Sequence, residues 1–462
     1  MPKKKTALTI EERLQQALVP AEEQPYEVPE NWVWVRLGSL ADVKGGKRLP
    51  KGTTFSENIT KHPYIRVTDF NAIGVSLEGL KYIDEDVYEK ISRYTISSDD
   101  IYVSIAGSIG KVGIIPSCID GANLTENAAK ITNIKGINQK YLCLFLKSEF
   151  AQYQMQSATI ATTQAKLALF RIESLTFPLP PLSEQQRIVE SIEELFAKLD
   201  EAKERLQEVA DSFAVRKAAI LHKAFSGELT KQWRLENGVS DESWEEKTIG
   251  DIAQVKGGKR IPKGMSLCFE NTGHPYIKAG NLKNGTVIDE SMMYVSDEVL
   301  KYIKNYTVSA GDVYITNVGA CIGDCGIIPE KYDGANLTEN AVKLTDINCN
   351  NKFLHLFLAS EQTQSSIKES IASATLGKLS IANIKKIIVF LPTLPEQHEI
   401  VRLIDDLLAR ERAAQQAAEQ ALASIDLMKK SILARAFRGE LGTNKASEAS
   451  ALELLKQVLA ED

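Results

Sequence analysis

Two short basic loops contain the residues whose types and spacing best fit a chemical task. Residues 44–52 have the sequence KGGKRLPKG and residues 256–264 have KGGKRIPKG, so eight of nine residues recur 212 positions later. Glycines let a backbone approach a ligand closely, and the four cations create a local positive field. This pattern fits a loop that grips a phosphate backbone while Arg or Lys contacts guanine edges. A solvated hairpin turn is the alternative, although such a turn need not keep its cations twice.

The candidate DNA-binding residues come from these loops and from nearby basic segments of each copy. Arg66 and Lys278 follow a recurring His-Pro-Tyr-Ile segment. The segments 162–166 (TTQAK) and 374–378 (ATLGK) face each other in the repeat, and for them a DNA-facing loop and a plain loop fit equally well. The residues that we expect to contact DNA are Lys44, Gly45, Gly46, Lys47, Arg48, Lys51, Arg66, Thr163, Lys166, Lys256, Gly257, Gly258, Lys259, Arg260, Lys263, Lys278 and Lys378.

Two other recurring loops favour structural roles. Residues 106–110 and 319–323 are glycine-rich, but no Gly-Lys-Ser/Thr follows at P-loop spacing, so a tight strand connection is the better interpretation. The Asn-Leu-Thr-Glu-Asn segments at 123–127 and 336–340 resemble catalytic sequences, yet Asn and Thr at strand ends more often tie turns through side-chain bonds. The six cysteines form neither a disulfide framework nor a convincing metal set, so we expect inert thiols and no metal site.

Length and composition frame these loops. The chain has 462 residues, with 55 Lys and Arg against 61 Asp and Glu, and a net charge of −6. Ordinary globular composition excludes global disorder, and no apolar run approaches the roughly 18 residues of a membrane span. Without an apolar signal core after the basic start, a soluble cytoplasmic protein is expected. Taken alone, the net charge argues against a nucleic-acid partner, but a whole-chain total hides local fields.

Internal duplication organises the whole chain. A period of 212 residues is too long for a solenoid and indicates two copies of a domain-sized module. Each copy begins with a Trp, which is followed by the basic loop, short β-like runs, a helical segment and a Pro-rich strand. This order of elements predicts an α+β fold. The predicted segments are an N-terminal helical segment (1–29), a first domain (30–181), a central long helix (182–229), a linker (230–243), a second domain (244–395), a C-terminal long helix (396–441) and a tail helix (442–462).

Each module is followed by a long heptad seam. The apolar spacing of 4-3-4-3 over about 40 residues predicts a helix of roughly 60 Å. Alanines in the second seam leave room for large side chains in the first, so we expect the two helices to pack on each other, with homodimerisation as the competing interpretation. The predicted seam residues include Ile188, Ile192, Leu195, Leu199, Leu206, Phe213, Ile400, Ile404, Leu407, Ala414, Ala418 and Ile425.

Familiar enzyme signatures do not stand out in the sequence. We find no Walker motif, no Gly-x-Gly-x-x-Gly after a strand, no His-Glu-x-x-His, no Gly-x-Ser-x-Gly and no amino-methyltransferase box. Together with the bipartite architecture, this favours a binding protein. A self-contained methyltransferase or nuclease, and a coiled-coil adaptor without DNA binding, are the alternatives.

The pattern closely resembles the specificity subunit of type I restriction-modification systems. The residues that carry the resemblance are the Trp openings at 32–38 and 244–250, the Leu-Pro-x-Leu-x-Glu-Gln segments at 179–185 and 391–397, and the Ala-Phe-x-Gly-Glu-Leu helix ends at 224–229 and 436–441. The resemblance covers nearly the whole chain, and the two-copy order makes it specific.

The resemblance implies a fold and a division of labour. Two target-recognition domains, separated by a long antiparallel two-helix coiled coil with a pseudo-two-fold axis, each recognise one half of a bipartite double-stranded DNA site. The chain itself would be non-catalytic and would bind no cofactor. Two modification subunits using S-adenosylmethionine and two motor-nuclease subunits using ATP and Mg would dock on the helices. Because the modules are similar and inverted, we expect related, inverted half-sites.

Overall fold

The chain folds into two compact units, each built around one of the two repeated α+β modules. Unit 1 comprises Met1–Arg205 with Ala421–Asp462, and unit 2 comprises Leu206–Gln420. Both units mix helices and sheets, which confirms the predicted α+β class. The computed structural model describes residues 9–71, 74–159, 166–372 and 378–461.

The strands are short and the two longest helices follow the two modules. The strands of the described residues are β1 (Val33–Arg36), β2 (Asp42–Gly45), β3 (Pro63–Ile65), β4 (Lys81–Tyr82), β5 (Thr95–Ile96), β6 (Ile101–Ser104), β7 (Val112–Gly113), β8 (Ala122–Leu124), β9 (Ala128–Thr132), β10 (Thr176–Leu179), β11 (Glu245–Thr248), β12 (Gln254–Gly257), β13 (Pro275–Ile277), β14 (Leu282–Lys283), β15 (Thr286–Val287), β16 (Met293–Tyr294), β17 (Val313–Thr316), β18 (Cys325–Ile327), β19 (Asn336–Leu337), β20 (Ala341–Thr345) and β21 (Ile388–Leu391). The α-helices are α1 (Ile10–Ala17), α2 (Glu85–Ile91), α3 (Gln139–Lys147), α4 (Glu149–Ser157), α5 (Leu169–Glu173), α6 (Leu182–Asp211), α7 (Phe213–Phe225), α8 (Lys231–Asn237), α9 (Ile249–Ile252), α10 (Asp297–Ile303), α11 (Asn351–Leu358), α12 (Glu361–Ala372), α13 (Ile381–Lys385), α14 (Leu394–Ala436) and α15 (Ala451–Ala460). Within the described residues, every helix is too short or too polar to span a lipid bilayer.

In the part of unit 1 that the structure describes, the strands form two four-stranded sheets and a two-stranded ribbon. One sheet has the order β2-β9-β6-β7 and the other β4-β3-β8-β5, while β1 pairs with β10. Strand β6 is buried on both faces because Ile101 and Val103 pack in one core and Tyr102 packs in another. The half-buried Lys130 on β9 forms an ion pair with the buried Asp100 at 2.9 Å. These contacts fix the strands that carry the loops described below.

Unit 2 repeats this arrangement with small changes. Its main sheet has the order β12-β20-β17-β18, and a second sheet has the order β16-β13-β19. Val313 and Ile315 face one core while Tyr314 faces another, as on β6. Lys343 pairs with Asp312 at 3.2 Å, which reproduces the ion pair of unit 1. The duplication in sequence is therefore a duplication of tertiary structure.

In unit 1 the two long helices run antiparallel. Lys429 of α14 pairs with Asp200 of α6 and lies over the ring of Phe196. Near the start of α6, Glu184 accepts hydrogen bonds from Thr443 and Asn444, which follow α14. The start of one helix thus lies beside the end of the other, as the family resemblance implied.

The same antiparallel relation holds inside unit 2. Arg216 of α7 pairs with Glu411 of α14. Thr230, which follows α7, donates a hydrogen bond to Glu396 at the start of α14 at 2.6 Å. Helices α6 and α7 are nearly continuous, because Ser212 between them donates to the Glu208 carbonyl at 3.0 Å. Within each unit, the paired helices belong to this one chain.

The recurring Glu-Gln and Phe residues anchor the helices to the modules. Gln185 and Gln397 are buried, and each accepts a backbone N–H from the loop before a module helix, at 2.7 and 2.8 Å. Phe437 packs on Tyr141 in unit 1, whereas Phe225 packs on Phe353 in unit 2. Each unit therefore receives the start of one long helix and the end of the other.

The predicted seam is correct for part of its length and shifted elsewhere. Ile188, Ile192, Ile400, Ile404, Ala418 and Ile425 are buried, whereas Leu195, Leu199, Leu206 and Phe213 are half-buried. On α14, however, Leu408 is buried while Leu407 is only half-buried, and Ala414 is exposed beside the half-buried Gln415. A nearly straight α-helix drifts relative to a 3.5-residue repeat, so a strict heptad assignment slips to the neighbouring residue.

Several segment boundaries differ from the sequence expectation. The segment 230–243, expected to be a linker, contains α8, which is capped by Gly238 in the left-handed conformation. Helix α14 begins at Leu394 and ends at Ala436, earlier at both ends than the expected 396–441. Near the N-terminus, α1 begins with a capping box, in which the Thr9 side chain accepts from the Glu12 N–H.

Candidate nucleic-acid interface

The Gly-Gly loop of unit 1 packs its backbone against the strand segment that precedes β9. The Gly46 N–H donates to the Ala128 carbonyl at 3.0 Å, and the Lys47 N–H donates to the Leu124 carbonyl at 2.8 Å. A Cβ atom at Gly46 would lie 2.2 Å from the Thr125 carbonyl oxygen. Glycine is required here because this close approach leaves no space for a side chain.

The second loop is built in the same way. The Gly258 N–H donates to the Ala341 carbonyl at 3.1 Å, and the Lys259 N–H donates to the Leu337 carbonyl at 2.9 Å. A Cβ atom at Gly258 would lie 2.1 Å from the Thr338 carbonyl oxygen. The glycine requirement is therefore a property of both units.

Tyrosines fix the lysine that follows each Gly-Gly pair. The Tyr64 hydroxyl donates to the Lys47 carbonyl at 2.7 Å, and the Lys47 ammonium lies 5.6 Å from the centre of the Tyr94 ring. In unit 2, Tyr276 donates to the Lys259 carbonyl at 2.9 Å, and the Lys259 ammonium lies 5.4 Å from the ring of Tyr306. Tyrosine here restrains an exposed cation without neutralising it.

Each loop arginine is paired with a glutamate. Arg48 Nε donates to Glu126 at 2.6 Å, and Arg260 Nε donates to Glu339 at 2.5 Å, while both arginine side chains are more than three-quarters exposed. Burial by itself raises the pKa of each glutamate carboxyl. Hydrogen bonds from the arginine and from the backbone outweigh burial, so the pKa is lowered. Both pairs are therefore charged at neutral pH.

The remaining loop cations are exposed. Lys44 lies 3.2 Å from Asp42, and Lys256 lies 4.0 Å from Asp346. Lys51 and Lys263 are exposed and form no ion pair with a described residue. The predicted loop residues thus remain accessible to a large anionic partner.

A second segment meets the loop in unit 1. Residues 45–48 line a cavity of about 550 Å³ together with Ile105, Glu126 and residues 166–169. Lys166 is exposed and forms a β-bridge with Ala106. The structure therefore brings Lys166 beside the Gly-Gly loop, as expected for a shared interface. Thr163 lies outside the described residues.

In unit 2 the corresponding segment is placed alike. Leu379 donates its N–H to the Asn317 carbonyl at 3.1 Å, and a Cβ at Gly257 would lie 3.6 Å from Ile381. Lys378, beside Leu379, is exposed. The predicted residues Gly257 and Lys378 therefore occupy neighbouring segments of one surface.

Arg66 and Lys278 differ from each other despite their equivalent positions. Arg66 makes two hydrogen bonds to Asp69, at 2.7 and 3.2 Å, and a third to the Gly79 carbonyl. Its guanidinium is thus used inside unit 1. Lys278 makes no ion pair with any described residue. Of these two predicted residues, only Lys278 has a side chain free of such a pair.

Sequence reasoning missed the glutamates and tyrosines that restrain the loops. The Asn-Leu-Thr-Glu-Asn segments were expected to tie turns, and their first Asn does so, since Asn123 and Asn336 donate to the Ile91 and Ile303 carbonyls. The Glu in the same segment nevertheless reaches the loop arginine. The signal available in the sequence was that these segments recur together with the loops.

Within the described residues, no cluster of three or more His, Cys, Asp or Glu side chains has a metal-holding arrangement. All six cysteines are free thiols. Burial raises the pKa of Cys325 to about 12.

Comparison with known proteins identifies the family. The model of the type I restriction-modification DNA specificity domain matches residues 29–211 and 241–421. The chain is 26% identical to the EcoBI specificity subunit of Escherichia coli, over 94% of this chain and 93% of that one. It is 24% identical to the EcoKI specificity subunit of Escherichia coli, over 94% and 96%.

A solved structure shows the same fold. The HsdS subunit from Thermoanaerobacter tengcongensis matches with a TM-score of 0.64 and 18% identity, over 91% of this chain and all of that chain. The two family matches cover well over half of the sequence, one in each copy of the repeat. The chain therefore belongs to the family of type I restriction-modification DNA specificity subunits.

Proposed function

We propose that each unit contacts one half of a bipartite DNA site through its Gly-Gly loop. The observation that carries this proposal is the recurrence of the whole loop environment. In both units a backbone-packed glycine, a lysine held by two tyrosines and an exposed arginine paired with a glutamate occupy the same positions. A turn without a ligand would not need exposed cations fixed in this way twice.

The adjoining segments extend the proposed contact. Lys166 in unit 1 and Lys378 in unit 2 lie beside the loops, and Lys44, Lys51 and their counterparts add exposed positive charge. Such cations neutralise phosphates and release counterions, while Arg is suited to guanine edges. Helix α6 alone carries nine Asp and Glu against four Lys and Arg, so the whole-chain net charge of −6 is compatible with a positive field at the loops.

The chain supplies recognition, and other subunits supply chemistry. Its relatives are named specificity subunits of type I restriction enzymes, which supports a non-catalytic role. Two modification subunits that bind S-adenosylmethionine and methylate adenine, and two restriction subunits that use ATP and Mg, would dock mainly on α6, α7 and α14. Many side chains on these helices are exposed and therefore accessible to other proteins.

The test compares matched lysine substitutions in the full-length chain assembled with its modification subunits. Lys47→Ala weakens binding in the first unit and Lys259→Ala weakens it in the second. For a phosphate contact, affinity falls for all sequences and the salt slope becomes shallower by about 0.9. Lys81→Ala, an exposed lysine on β4, is the control. Unchanged affinity and salt slope in both loop variants would place the DNA contact elsewhere.

Methylation mapping tests the bipartite arrangement. In a genome carrying this system, methylated adenines should reveal two half-sites that are related inverted sequences, because the modules are similar. Unrelated half-sites would overturn that part of the proposal. Methyl transfer by the isolated chain would instead support a self-contained methyltransferase.

A further inference from the structure

A carboxylate beside a phosphate-binding loop requires an explanation. Glu126 and Glu339 contact the loop arginines, yet a negative charge at a DNA surface repels phosphate and weakens binding. Both units nevertheless retain it in the same place. Attraction of phosphate alone does not account for this arrangement.

Each glutamate is held from two sides. Thr125 Oγ donates to Glu126 Oε2 at 3.0 Å while Arg48 Nε donates to Oε1 at 2.6 Å. In unit 2, the Thr338 hydroxyl donates to Glu339 Oε2 at 3.2 Å. The glutamate side chains are 26% and 29% exposed, so they are fixed more firmly than the arginines they contact.

The pairing leaves the outer nitrogens of each arginine available. Within the described residues, Arg48 and Arg260 donate to protein only through Nε. A guanidinium restrained at Nε still presents its two Nη groups. Two parallel N–H donors match the O6 and N7 acceptors of guanine in the major groove. Restraining the side chain in advance also reduces the entropy lost on binding.

We propose that Glu126 and Glu339 are positioning residues that hold Arg48 and Arg260 for contact with a guanine edge and disfavour their use on phosphate. This inference rests on the proposed function, in which the Gly-Gly loops contact DNA. The glutamates thereby increase discrimination between the specific site and other DNA, at some loss of total affinity.

The central experiment removes the charge of one glutamate. Duplexes bound by the full-length chain with its modification subunits are first selected from random-sequence DNA. Glu126→Gln should then weaken binding to the selected duplex about tenfold, while binding to a random duplex of equal length stays constant or strengthens. The ratio of specific to non-specific affinity should fall, and reselection should show relaxed preference at one position of one half-site.

Two further variants separate positioning from bulk charge and from folding. Glu89→Gln removes the same charge from the exposed surface of α2, where the side chain makes no ion pair with a described residue, and should leave the ratio unchanged. Glu126→Asp keeps the charge and should retain more discrimination than Glu126→Gln.

Two outcomes would overturn the inference. If Glu126→Gln strengthens binding to both duplexes equally, the only effect of Glu126 is to repel phosphate, and the inference is overturned. If it weakens binding to both and lowers the melting temperature, the role is structural and the inference is again overturned.

Arg48→Gln distinguishes failure of this inference from failure of the proposed function. Arg48→Gln should lose specific binding, and the double variant Arg48→Gln/Glu126→Gln should lose no more. This result supports the positioning role, because the two residues then act as one unit. Independent, additive effects contradict positioning while leaving the loop at the interface. Normal binding by Arg48→Gln to both duplexes would overturn this inference, whereas the proposed function fails only if Lys47→Ala and Lys259→Ala also bind normally. The pair Arg260 and Glu339 should behave alike at the other half-site.

Discussion

The two units share their loops but differ in how their two-stranded ribbons are covered. In unit 1, Val19 donates to the Trp34 carbonyl, and Leu18 bridges Val35, so a third segment lies along β1. Trp34 packs edge-on against Tyr26 and Phe150. The segment that carries α1 therefore completes the core of unit 1.

Unit 2 leaves the corresponding ribbon open. The residues equivalent to Trp34, Phe150 and Tyr26 are Glu246, Gln362 and Gly238. Glu246 is exposed, and Phe390 on the partner strand is 44% exposed. A cavity of about 670 Å³ lies beside Phe390, lined by Gln362 and other residues. Charged residues on an edge strand tolerate water and discourage pairing with other chains.

This difference shows which parts of the repeat are constrained by function. The ribbon diverged in sequence and in burial, while the loop environments retain nearly the same distances. A selective requirement that acts on both loops, such as contact with DNA, explains this contrast better than folding alone, because the rest of each module folds with different residues.

The largest expected effect comes from α15, whose buried side chains belong to the core of unit 1. Leu455 on α15 is fully buried in the unit 1 core. Leu455→Ala should lower the stability of unit 1 by about 2–5 kcal/mol because it leaves a cavity. Hydrogen exchange measured by mass spectrometry should show faster exchange in peptides of unit 1 and unchanged exchange in unit 2. Gln457→Ala, an exposed position on the same helix, is the control. Equal acceleration in both units would contradict the asymmetric cover.

The next largest effect tests the feature that the units share. Gly46→Ala and Gly258→Ala place a methyl group within 2.2 Å of a backbone carbonyl and should each destabilise their own unit by about 1–3 kcal/mol. The adjacent Gly45→Ala and Gly257→Ala meet side chains only at 3.6 Å and should cost much less stability. Thermal unfolding resolves this comparison. Similar melting temperatures for the four variants would show that the loops do not need the close approach.

The repeat explains why much of this fold was predictable. A shared offset of 212 residues predicts two modules, and the Pro-rich and apolar patterns predict strands and long helices from local sequence. The same repeat could not reveal that Phe437 packs in unit 1 and Phe225 in unit 2. Because the two motifs are identical, their sequences do not indicate which module each Phe contacts. The choice of module depends on the antiparallel pairing of the helices, which is a tertiary feature.

The site was predictable where residues act alone and unpredictable where they act in pairs. The loop cations were identified from charge and glycine content. Glu126 was missed because it lies 78 residues from Arg48 in a segment whose Asn and Thr suggested a turn. On α14, Leu408 is buried instead of the predicted Leu407. This shift results from the drift of a nearly straight helix relative to the heptad repeat, which a fixed heptad pattern does not describe.

A smaller effect concerns the aromatic restraint common to both loops. Tyr94→Leu removes the ring beside Lys47, and Tyr306→Leu removes the ring beside Lys259. Cation–π contacts at exposed sites contribute about 0.5–1 kcal/mol, so DNA affinity should fall only about two- to fivefold. Tyr94→Phe keeps a ring and should bind nearly as well as the natural chain. Equal losses for Leu and Phe would show that the hydroxyl rather than the ring matters.

The smallest effect is a difference in acid response. Asn133 donates to the Asp42 carboxylate at 2.6 Å, and this bond, with help from Lys44, lowers the pKa of Asp42. In unit 2 the equivalent residues are Gln254 and Asp346, so amide and carboxylate have exchanged positions. A lowered folded-state pKa means that Asp42 stabilises unit 1 above its ordinary pKa near 4, and that this contribution disappears as the pH falls through the lowered value.

Asp42→Asn should therefore reduce the stability of unit 1 at pH 7 and make it less dependent on pH below about 4, so that the variant and the natural chain converge in acid. Urea unfolding of unit 1, followed by mass-spectrometric labelling at pH 3, 5 and 7, measures this convergence. Asp99→Asn, at an exposed carboxylate without an ion pair among the described residues, controls for net charge. A constant difference between Asp42→Asn and the natural chain at all three pH values would show that the hydrogen bond to Asn133 does not depend on the charge of Asp42. The two units would then differ in residue identity at this position but not in electrostatics.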